Sequence, residues 1–391
     1  MNRSRKIPIK KVSYYKGRDW FLDRKRGLDK RGYLLLFFPI SLLLIFICRI
    51  SSWIAENMFA KRIYFVLVSV YGTMTSIFPF SIAEFGVILG LLFCVFFLLR
   101  FLIRLIKGRE QRKLIVGKFL LNFGCIVSVM FFLYTIFCGL NYYRYTFAYY
   151  SDLKLEKSDT NELYDLCFSL AEQAKDIRNR INLTSENEIF HIKDSNQKVS
   201  YDAMDAMNKL AEDYPVLGKY RIHPKTVWQS RAMSYAEITG IYIPFTVEAN
   251  VNVDVPDFEI PFTMCHELSH VRGFMKEGEA NFIAYLACMK SNQLEFQYSG
   301  TMWALIYAGN KLYEDDPIRY QELIQTYSMG MLLDLEDDSR YWKQFENTML
   351  SKVSNQLNDY YLKVNLQENG SKSYGEMVDL LLALYKYNHN H

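Results

Sequence analysis

Three long apolar runs stand out in the first part of the chain. They cover residues 33–50, 82–103 and 119–140. Charged side chains interrupt them only near their ends, at Arg49, Glu84 and Arg100, and each run can cross a hydrocarbon layer of about 30 Å as a helix. The stretch 63–77 contains Ser, Thr and Tyr among its apolar residues and is too weakly apolar for a span. We expect it to lie in the membrane interface or to pack against the helices. The pattern predicts three N-terminal membrane spans.

After residue 148 the apolar positions recur mainly at helical spacing. Helices are predicted over residues 159–181, 200–214, 301–312, 340–362 and 376–387. The second of these is expected to begin at a Ser200 cap and to stop at Pro215. Residues 226–252 have an extended pattern, which predicts a hairpin or a small sheet. The expected fold is an α-helical membrane protein whose three spans are followed by a mainly α (α+β) domain.

Charge divides the chain into three parts. Twelve Lys and Arg precede residue 33, and the loop between the second and third spans carries six more, whereas the first loop has only Lys61 and Arg62. Basic residues mark cytoplasmic loops. We therefore predict a multi-pass protein of the cytoplasmic membrane, with a cytoplasmic N-terminus (1–32), a membrane domain (33–148) and an extracytoplasmic domain (149–391). The basic segments indicate the lipid bilayer as partner, and not nucleic acid.

The strongest chemical signal is an H-E-x-x-H motif formed by His266, Glu267 and His270. On a helix the two histidines lie on one face, so both imidazoles can bind one zinc ion. The glutamate between them can act as general base on water. The alternative is a surface helix with two solvated histidines. The apolar neighbours Phe262 and Leu268 favour a buried helix, in which histidines need partners.

A third ligand is expected in the next helix. Gly273 can end the first helix in a left-handed conformation, and a second helix is predicted to begin near Glu277. Glu277 and Asn281 match the first and last positions of the E-x-x-A-[DN] signature, and this segment resembles the gluzincins. The resemblance implies a zincin-like fold for this domain. It also implies that Glu277 is the third zinc ligand and that Asn281 supports the site, with Glu279 as the rival ligand. Only six residues separate the motif from Glu277, a shorter spacer than gluzincins usually have.

The extended run 240–252 precedes the motif and is the candidate substrate-binding strand. In gluzincins a strand beside the metal helix binds the substrate backbone, so polar side chains of this run are candidates to face the cleft. They are Glu248, Asn250 and Asn252. The alternative is a solvated strand face. A tetrahedral intermediate also needs a hydrogen-bond donor besides zinc. The candidate donors are Tyr242, Arg272 and Tyr285.

Several segments outside the motif belong to one larger pattern. They are residues 78–84, 141–144, 240–252, 260–263 and 373–375. Together they resemble a bacterial membrane family that is catalogued only as a domain of unknown function and suspected of being a zinc peptidase. The resemblance spans residues from about 33 to 385. It implies a membrane zinc hydrolase and supplies no substrate.

These observations predict a membrane-anchored zinc metallopeptidase that hydrolyses peptide bonds outside the cytoplasmic membrane. Zn²⁺ would be held by His266, His270 and Glu277, with Glu267 as the base. A peptide or protein substrate is inferred by analogy with other H-E-x-x-H enzymes. Two alternatives stay open. One is a non-catalytic protein that keeps zinc for structure or sensing, and the other is a metal-free scaffold of the cell envelope.

Overall fold

The computed structural model describes residues 30–181, 188–364 and 375–390 of the 391-residue chain. Most of the basic N-terminal segment, and two of the three residues in 373–375, lie outside the described residues. The α-helices, numbered in chain order, are α1 (Phe37–Ile50), α2 (Phe65–Ser76), α3 (Ile82–Lys107), α4 (Arg112–Phe137), α5 (Phe147–Ser151), α6 (Thr160–Arg180), α7 (Asn196–Asp213), α8 (Ser230–Tyr235), α9 (Glu259–Val271), α10 (Glu277–Lys290), α11 (Leu294–Asp315), α12 (Pro317–Ile324), α13 (Met329–Trp342), α14 (Met349–Val364) and α15 (Gly375–Asn390). The strands are β1 (Lys225–Thr226), β2 (Gly240–Ile243) and β3 (Glu248–Val251). A π-helix covers Ile54–Tyr64, and 3-10 helices cover Lys30–Leu36, Arg109–Gln111, Gly139–Tyr143 and Pro215–Leu217.

Three helical segments are long and apolar enough to cross a membrane. They are Lys30–Ile50, Ile82–Lys107 and Arg109–Phe137. Most of their large apolar side chains are exposed, as a lipid-facing surface requires. The three predicted runs are thus confirmed as long apolar helices of a membrane protein. The third begins at Arg109 instead of residue 119, because Lys and Arg are good helix formers and continue the helix beyond the apolar run.

The weakly apolar stretch before the second span packs against the rest of the protein. It forms the end of the π-helix and α2, in which Tyr64 and Val68 are buried. Both side chains belong to a contiguous core that also contains Phe137 at the end of the third span and Leu268 on α9. Packing against other helices is thus observed for one side of the stretch, whereas Val66, Val70 and Met74 are exposed. The hydrophobic core therefore continues across the predicted domain boundary at residue 149.

The first two helices of the predicted outer domain show how caps set helix ends. α6 begins at a capping box, in which Asp159 and Glu162 bond each other's backbone N–H groups. α7 is capped by Ser195, whose hydroxyl accepts from a backbone N–H in the first turn. The predicted cap at Ser200 is wrong. The Ser200 hydroxyl lies inside the helix and donates to the Pro224 carbonyl, a contact between distant parts of the chain.

The single helix predicted over residues 340–362 is two helices. α13 ends at Trp342 and α14 begins at Met349. Asn347 between them has a left-handed backbone conformation, with φ of 61°. An L-residue in this conformation cannot continue a right-handed helix, so the apolar spacing alone extended the prediction across a turn.

The extended stretch forms a three-stranded sheet in the order β1–β3–β2, which confirms the small sheet. β2 pairs antiparallel with β3, with Ile241 opposite Asn250, and β1 pairs parallel with β3. β3 is therefore the central strand and β2 an edge strand. Both strands pack on α9, so the sheet forms one wall beside the H-E-x-x-H helix.

Candidate metal centre

α9 and α10 carry the motif and meet at a tight turn. Every residue of α9 except His266 is buried, because the helix packs against the sheet and against α7, α10 and α11. Gly273 has the predicted left-handed conformation, with φ of 83°, and α10 begins at Glu277 as predicted. A side chain at position 273 would meet atoms of Tyr64 and Arg144 at 3.0 Å, so glycine is required at this turn.

The turn brings His266, His270 and Glu277 together. Nε2 of His266 lies 3.1 Å from Nε2 of His270 and 3.2 Å from one carboxylate oxygen of Glu277. The other oxygen of Glu277 lies 3.7 Å from Nε2 of His270. Donor atoms about 2.0–2.1 Å from a tetrahedral zinc ion lie about 3.3 Å from one another, which is close to these distances. Two imidazoles and a carboxylate are also a common zinc donor set, so the residues fit a metal ion.

The surroundings of the two imidazoles differ, and those of His270 suit metal binding. The Phe274 carbonyl oxygen lies 2.8 Å from Nδ1 of His270, so it can accept from Nδ1–H and leave the Nε2 lone pair toward the cluster. Nδ1 of His266 is buried and has no hydrogen-bond partner among the described residues. Asn281 is buried beside His266, one turn after Glu277 on α10. It therefore lies where the gluzincin resemblance implies a supporting residue.

The cluster without a metal contains charges of both signs, and His266 would have to lose a proton before it could bind a metal ion. Burial lowers the pKa of His270 to about 4, so this imidazole is neutral near pH 7 and can donate a lone pair. Burial also disfavours charge on His266, but the hydrogen bond and negative charge of Glu277 outweigh it and raise the His266 pKa to about 9. The two histidines hold the pKa of Glu277 below its ordinary value, against the effect of burial. Glu277 is therefore a carboxylate at neutral pH.

Glu279, the rival ligand, faces another part of the molecule. Its Oε1 atom accepts a hydrogen bond from the Phe147 backbone N–H at 3.2 Å, and Nζ of Lys276 lies 3.9 Å away. Residues two positions apart on an α-helix are separated by about 200° around the axis, so Glu277 and Glu279 cannot both reach the histidines. The fold brings Glu277, and not Glu279, to the cluster.

Glu267 lies between the sheet and the cluster formed by His266, His270 and Glu277, which we call the metal-type cluster. β2 passes so close at Gly240 that an added side chain would meet Oε1 of Glu267 at 2.5 Å, so glycine permits the strand to approach α9. The Oε2 atom is buried without a hydrogen-bond partner among the described residues. Burial raises the pKa of Glu267 to about 8, against the nearby charge of His266. Such a carboxyl is suited to accept and return a proton near neutral pH.

The polar side chains of β3 do not face the cleft, and this prediction is wrong. Glu248 is buried and accepts hydrogen bonds from the backbone N–H groups of Ile82 and Ala83, so it satisfies the first turn of α3. Asn250 and Asn252 are also buried and donate to nearby backbone carbonyls. The strand with the free edge beside α9 is β2.

Two of the three candidate oxyanion donors are engaged elsewhere. The buried Arg272 donates to a carbonyl of its own helix and to the Asn208 side chain on α7, so it is corrected to a structural residue. The Tyr242 hydroxyl donates to the Phe137 carbonyl at the end of α4, at 3.1 Å. Tyr285 is buried one turn beyond the supporting asparagine on α10 and stays a candidate.

Residues that the motif does not predict hold the end of α9. The Tyr64 hydroxyl lies 3.3 and 3.1 Å from the last two carbonyl oxygens of this helix. Arg144 donates to the Arg272 carbonyl at 3.0 Å and forms a two-point ion pair with Glu56, at 2.9 and 3.0 Å. The sequence signals for them are weak. Glu56 is an acidic residue between two spans, and Arg144 belongs to the segment 141–144 that carries part of the family resemblance.

The protein thus combines three long apolar helices with a helical domain around a metal-type cluster. A family model described as "Protein of unknown function (DUF3810)" matches residues 59–382, and the chain therefore belongs to this family. The predicted membership in a membrane family of unknown function is confirmed to that extent. No curated protein and no solved structure matches the chain.

Proposed function

We propose that this protein is a membrane-bound, zinc-dependent peptidase whose helical domain lies outside the cytoplasm. The observation that carries the proposal is that His266, His270 and Glu277 place their donor atoms within 4.8 Å of one another, beside the buried Glu267. Three protein ligands favour catalysis, because structural zinc sites almost always have four. Glu279, the residue that would close the site, is bonded to a backbone N–H elsewhere. The proposed orientation rests on the basic loops.

The arrangement provides what peptide hydrolysis requires. The side chains of His266 and Glu277 are 13% and 26% exposed, so the cluster is not sealed from solvent. A bound Zn²⁺ ion would supply Lewis acidity, which activates water and polarises a carbonyl. Glu267 would take the proton from the attacking water and return it to the leaving amine. The outer edge of β2 pairs with no described strand, so it can align an extended peptide by backbone hydrogen bonds.

One observation favours a second candidate function, a metal-free scaffold of the cell envelope. The 3.2 Å contact between His266 and Glu277 is an ion pair when the imidazole is protonated, and such a pair needs no metal. A zinc-binding sensor would instead keep the metal and lack turnover. Metal content and peptide hydrolysis separate the three functions.

Metal content of the full-length protein in detergent, measured by elemental mass spectrometry, is the first test. We expect about one zinc ion per chain in the wild type, since one tetrahedral site is available. His266→Ala should lose this zinc. His191→Ala is the matched control, because the His191 side chain is 65% exposed and lies outside the cluster. Wild-type protein that carries no metal after purification without chelators would contradict the proposal and favour the scaffold.

Hydrolysis of a diverse peptide library by the zinc-loaded protein is the second test. Glu267→Gln should keep zinc and lose about 10²–10⁴-fold in rate, the contribution of a general base. Glu172→Gln, which changes a half-exposed carboxylate on α6, should leave the rate unchanged. Full activity in Glu267→Gln would show that another group is the base. A zinc-loaded wild type that cleaves nothing would favour the sensor.

A further inference from the structure

α14 is attached to the domain along one side. Ser351, near its start, is buried, and Nδ2 of Asn355, one turn later, donates to the Glu237 carboxylate at 2.7 Å. Glu237 lies just before β2, so α14 begins next to the edge strand of the candidate site. This side of the helix is polar, and its contacts define which face points away from the protein.

The opposite face of α14 is apolar and exposed. Its members are Met349, Leu350, Val353, Leu357 and Tyr360. At 3.6 residues per turn these positions fall within about one third of the helix circumference. Leu357 is 64% exposed, so the face contacts no other part of the described chain extensively. A contiguous apolar patch of this kind marks a surface that meets a membrane or another protein.

The far end of α14 touches the third membrane span. The Tyr361 hydroxyl lies 3.1 Å from the Tyr142 hydroxyl and 3.4 Å from that of Tyr134. Tyr134 lies in the last turn of α4, the helix that ends the segment Arg109–Phe137. The far end of α14 therefore lies beside the C-terminal end of this span.

A second contact joins the helical domain to the start of the second span. The Trp228 backbone N–H donates to Glu84 at 3.0 Å, and Glu84 lies in the first turn of the second span, α3. The Trp228 side chain is 84% exposed. Tryptophan and tyrosine are enriched where a protein crosses the membrane–water interface. Aromatic residues thus stand at the ends of two spans on the side of the helical domain.

We propose that α14 lies in the bilayer interface, with its apolar face inserted among the lipid acyl chains. Its overall balance of apolar and polar residues, with the apolar ones on a single face, is that of a helix lying in the interface plane and not of a span. Lys352 and Asp359 lie on one side of the apolar face, about 20° apart around the helix axis, and the exposed Lys352 remains at the headgroups. This seating of α14 in the membrane interface requires neither bound zinc nor peptide hydrolysis. If the proposed peptidase function also holds, the substrate is a polypeptide segment that adjoins the membrane, because β2 and the end of α4 are joined through Tyr242 and Phe137.

Tryptophan quenching by brominated lipid tests this seating in the full-length protein. Leu357→Trp and the control Lys352→Trp, whose positions lie about 140° apart on the helix, are reconstituted in phosphatidylethanolamine–phosphatidylglycerol vesicles with or without brominated acyl chains. The added emission at 357, taken as the difference from the wild type, should be blue-shifted. Bromine should reduce it roughly twofold or more, because an interfacial helix buries its apolar face about 5–10 Å into the headgroup–acyl boundary. The added emission at 352 should change little.

Two outcomes would overturn the seating. Equal, weak quenching at both positions would place the helix in water. Blue-shifted emission at 357 that bromine does not affect would show that protein, such as a second copy of the chain, covers the face. Val353→Trp on the same face provides a second probe should Leu357→Trp fail to fold. His266→Ala in the same vesicles should leave the quenching unchanged, so loss of the metal site and loss of membrane seating are distinguishable.

Discussion

α3 and α9 are both largely apolar, but the large side chains of α3 are mostly exposed, whereas those of α9 are buried. In the span α3, Leu89, Leu91 and Leu92 are all more than 60% exposed, with values of 63%, 64% and 62%. In α9 every residue except His266 is buried. The apolar side chains of α3 suit contact with lipid, and those of α9 contact other protein side chains.

The difference has a consequence for polar groups. α3 carries few of them between its ends, so it needs few specific partners. α9 buries polar side chains on several faces, and most have a protein partner: Ser269 donates to a carbonyl one turn back, and Glu259 accepts from the Trp342 indole. Among the described residues the buried exceptions include Nδ1 of His266 and Oε2 of Glu267. Unpaired buried polar atoms are costly, so the two at the motif are candidates to contact a bound ligand.

The largest loss is expected at the buried, two-point ion pair between Arg144 and Glu56. Arg144→Met would leave Glu56 buried without its two-point partner, which typically costs about 3–5 kcal/mol. Arg180→Met breaks an exposed pair with Asp176 and should change stability by less than about 0.5 kcal/mol. Denaturant unfolding in detergent, followed by tryptophan fluorescence, measures both. Equal losses would mean that the Arg144 pair is solvated and that the end of α9 is held by other contacts.

A matched pair of leucines tests the two packing environments directly. Leu268→Ala removes a fully buried side chain from α9 and should cost about 2–5 kcal/mol, through lost burial and a cavity. Leu92→Ala on the exposed face of α3 should cost less than about 1 kcal/mol in a bilayer, because no cavity forms. Thermal unfolding in lipid nanodiscs compares them. A large loss at Leu92 would indicate that another protein packs against this face.

A smaller effect on the free energy of unfolding, which depends on pH, is expected at Glu259. Burial raises its pKa well above the ordinary value, and the neighbouring Asp338 carboxyl adds to the shift. Because the folded pKa exceeds the unfolded value of about 4.3, the stability linked to this proton is complete below that pH and is lost as pH rises through the folded pKa.

Glu259→Gln should remove part of this pH dependence. The variant should be more stable than the wild type at pH 8 and nearly equal to it at pH 4, as unfolding at the two pH values would show. The control Glu172→Gln should reproduce the wild-type dependence, since that side chain is 47% exposed. A Glu259→Gln variant that is less stable at both pH values would mean that the carboxylate, and not the acid, is the form that packs.

Much of the fold follows from local patterns. The three apolar runs, the helix α6 and the turn at Gly273 depend on residues close together in the chain, and all are found as predicted. The errors arise where distant residues intervene. Ser200 has the chemistry of a helix cap but bonds Pro224, and Glu248 has the chemistry of a cleft residue but bonds the start of α3.

By itself the sequence determined the apolar spans, the spacing of His266 and His270 on one helix face, and the presence of a carboxylate just beyond them. Tertiary structure decided which carboxylate, since only the direction in which α10 leaves the turn separates Glu277 from Glu279. It also decided that α9 is held by Tyr64, from a segment about 200 residues earlier in the chain. The physical reason is the same in each case. Local periodicity depends on neighbouring residues, whereas the partners of buried polar groups depend on how distant elements pack.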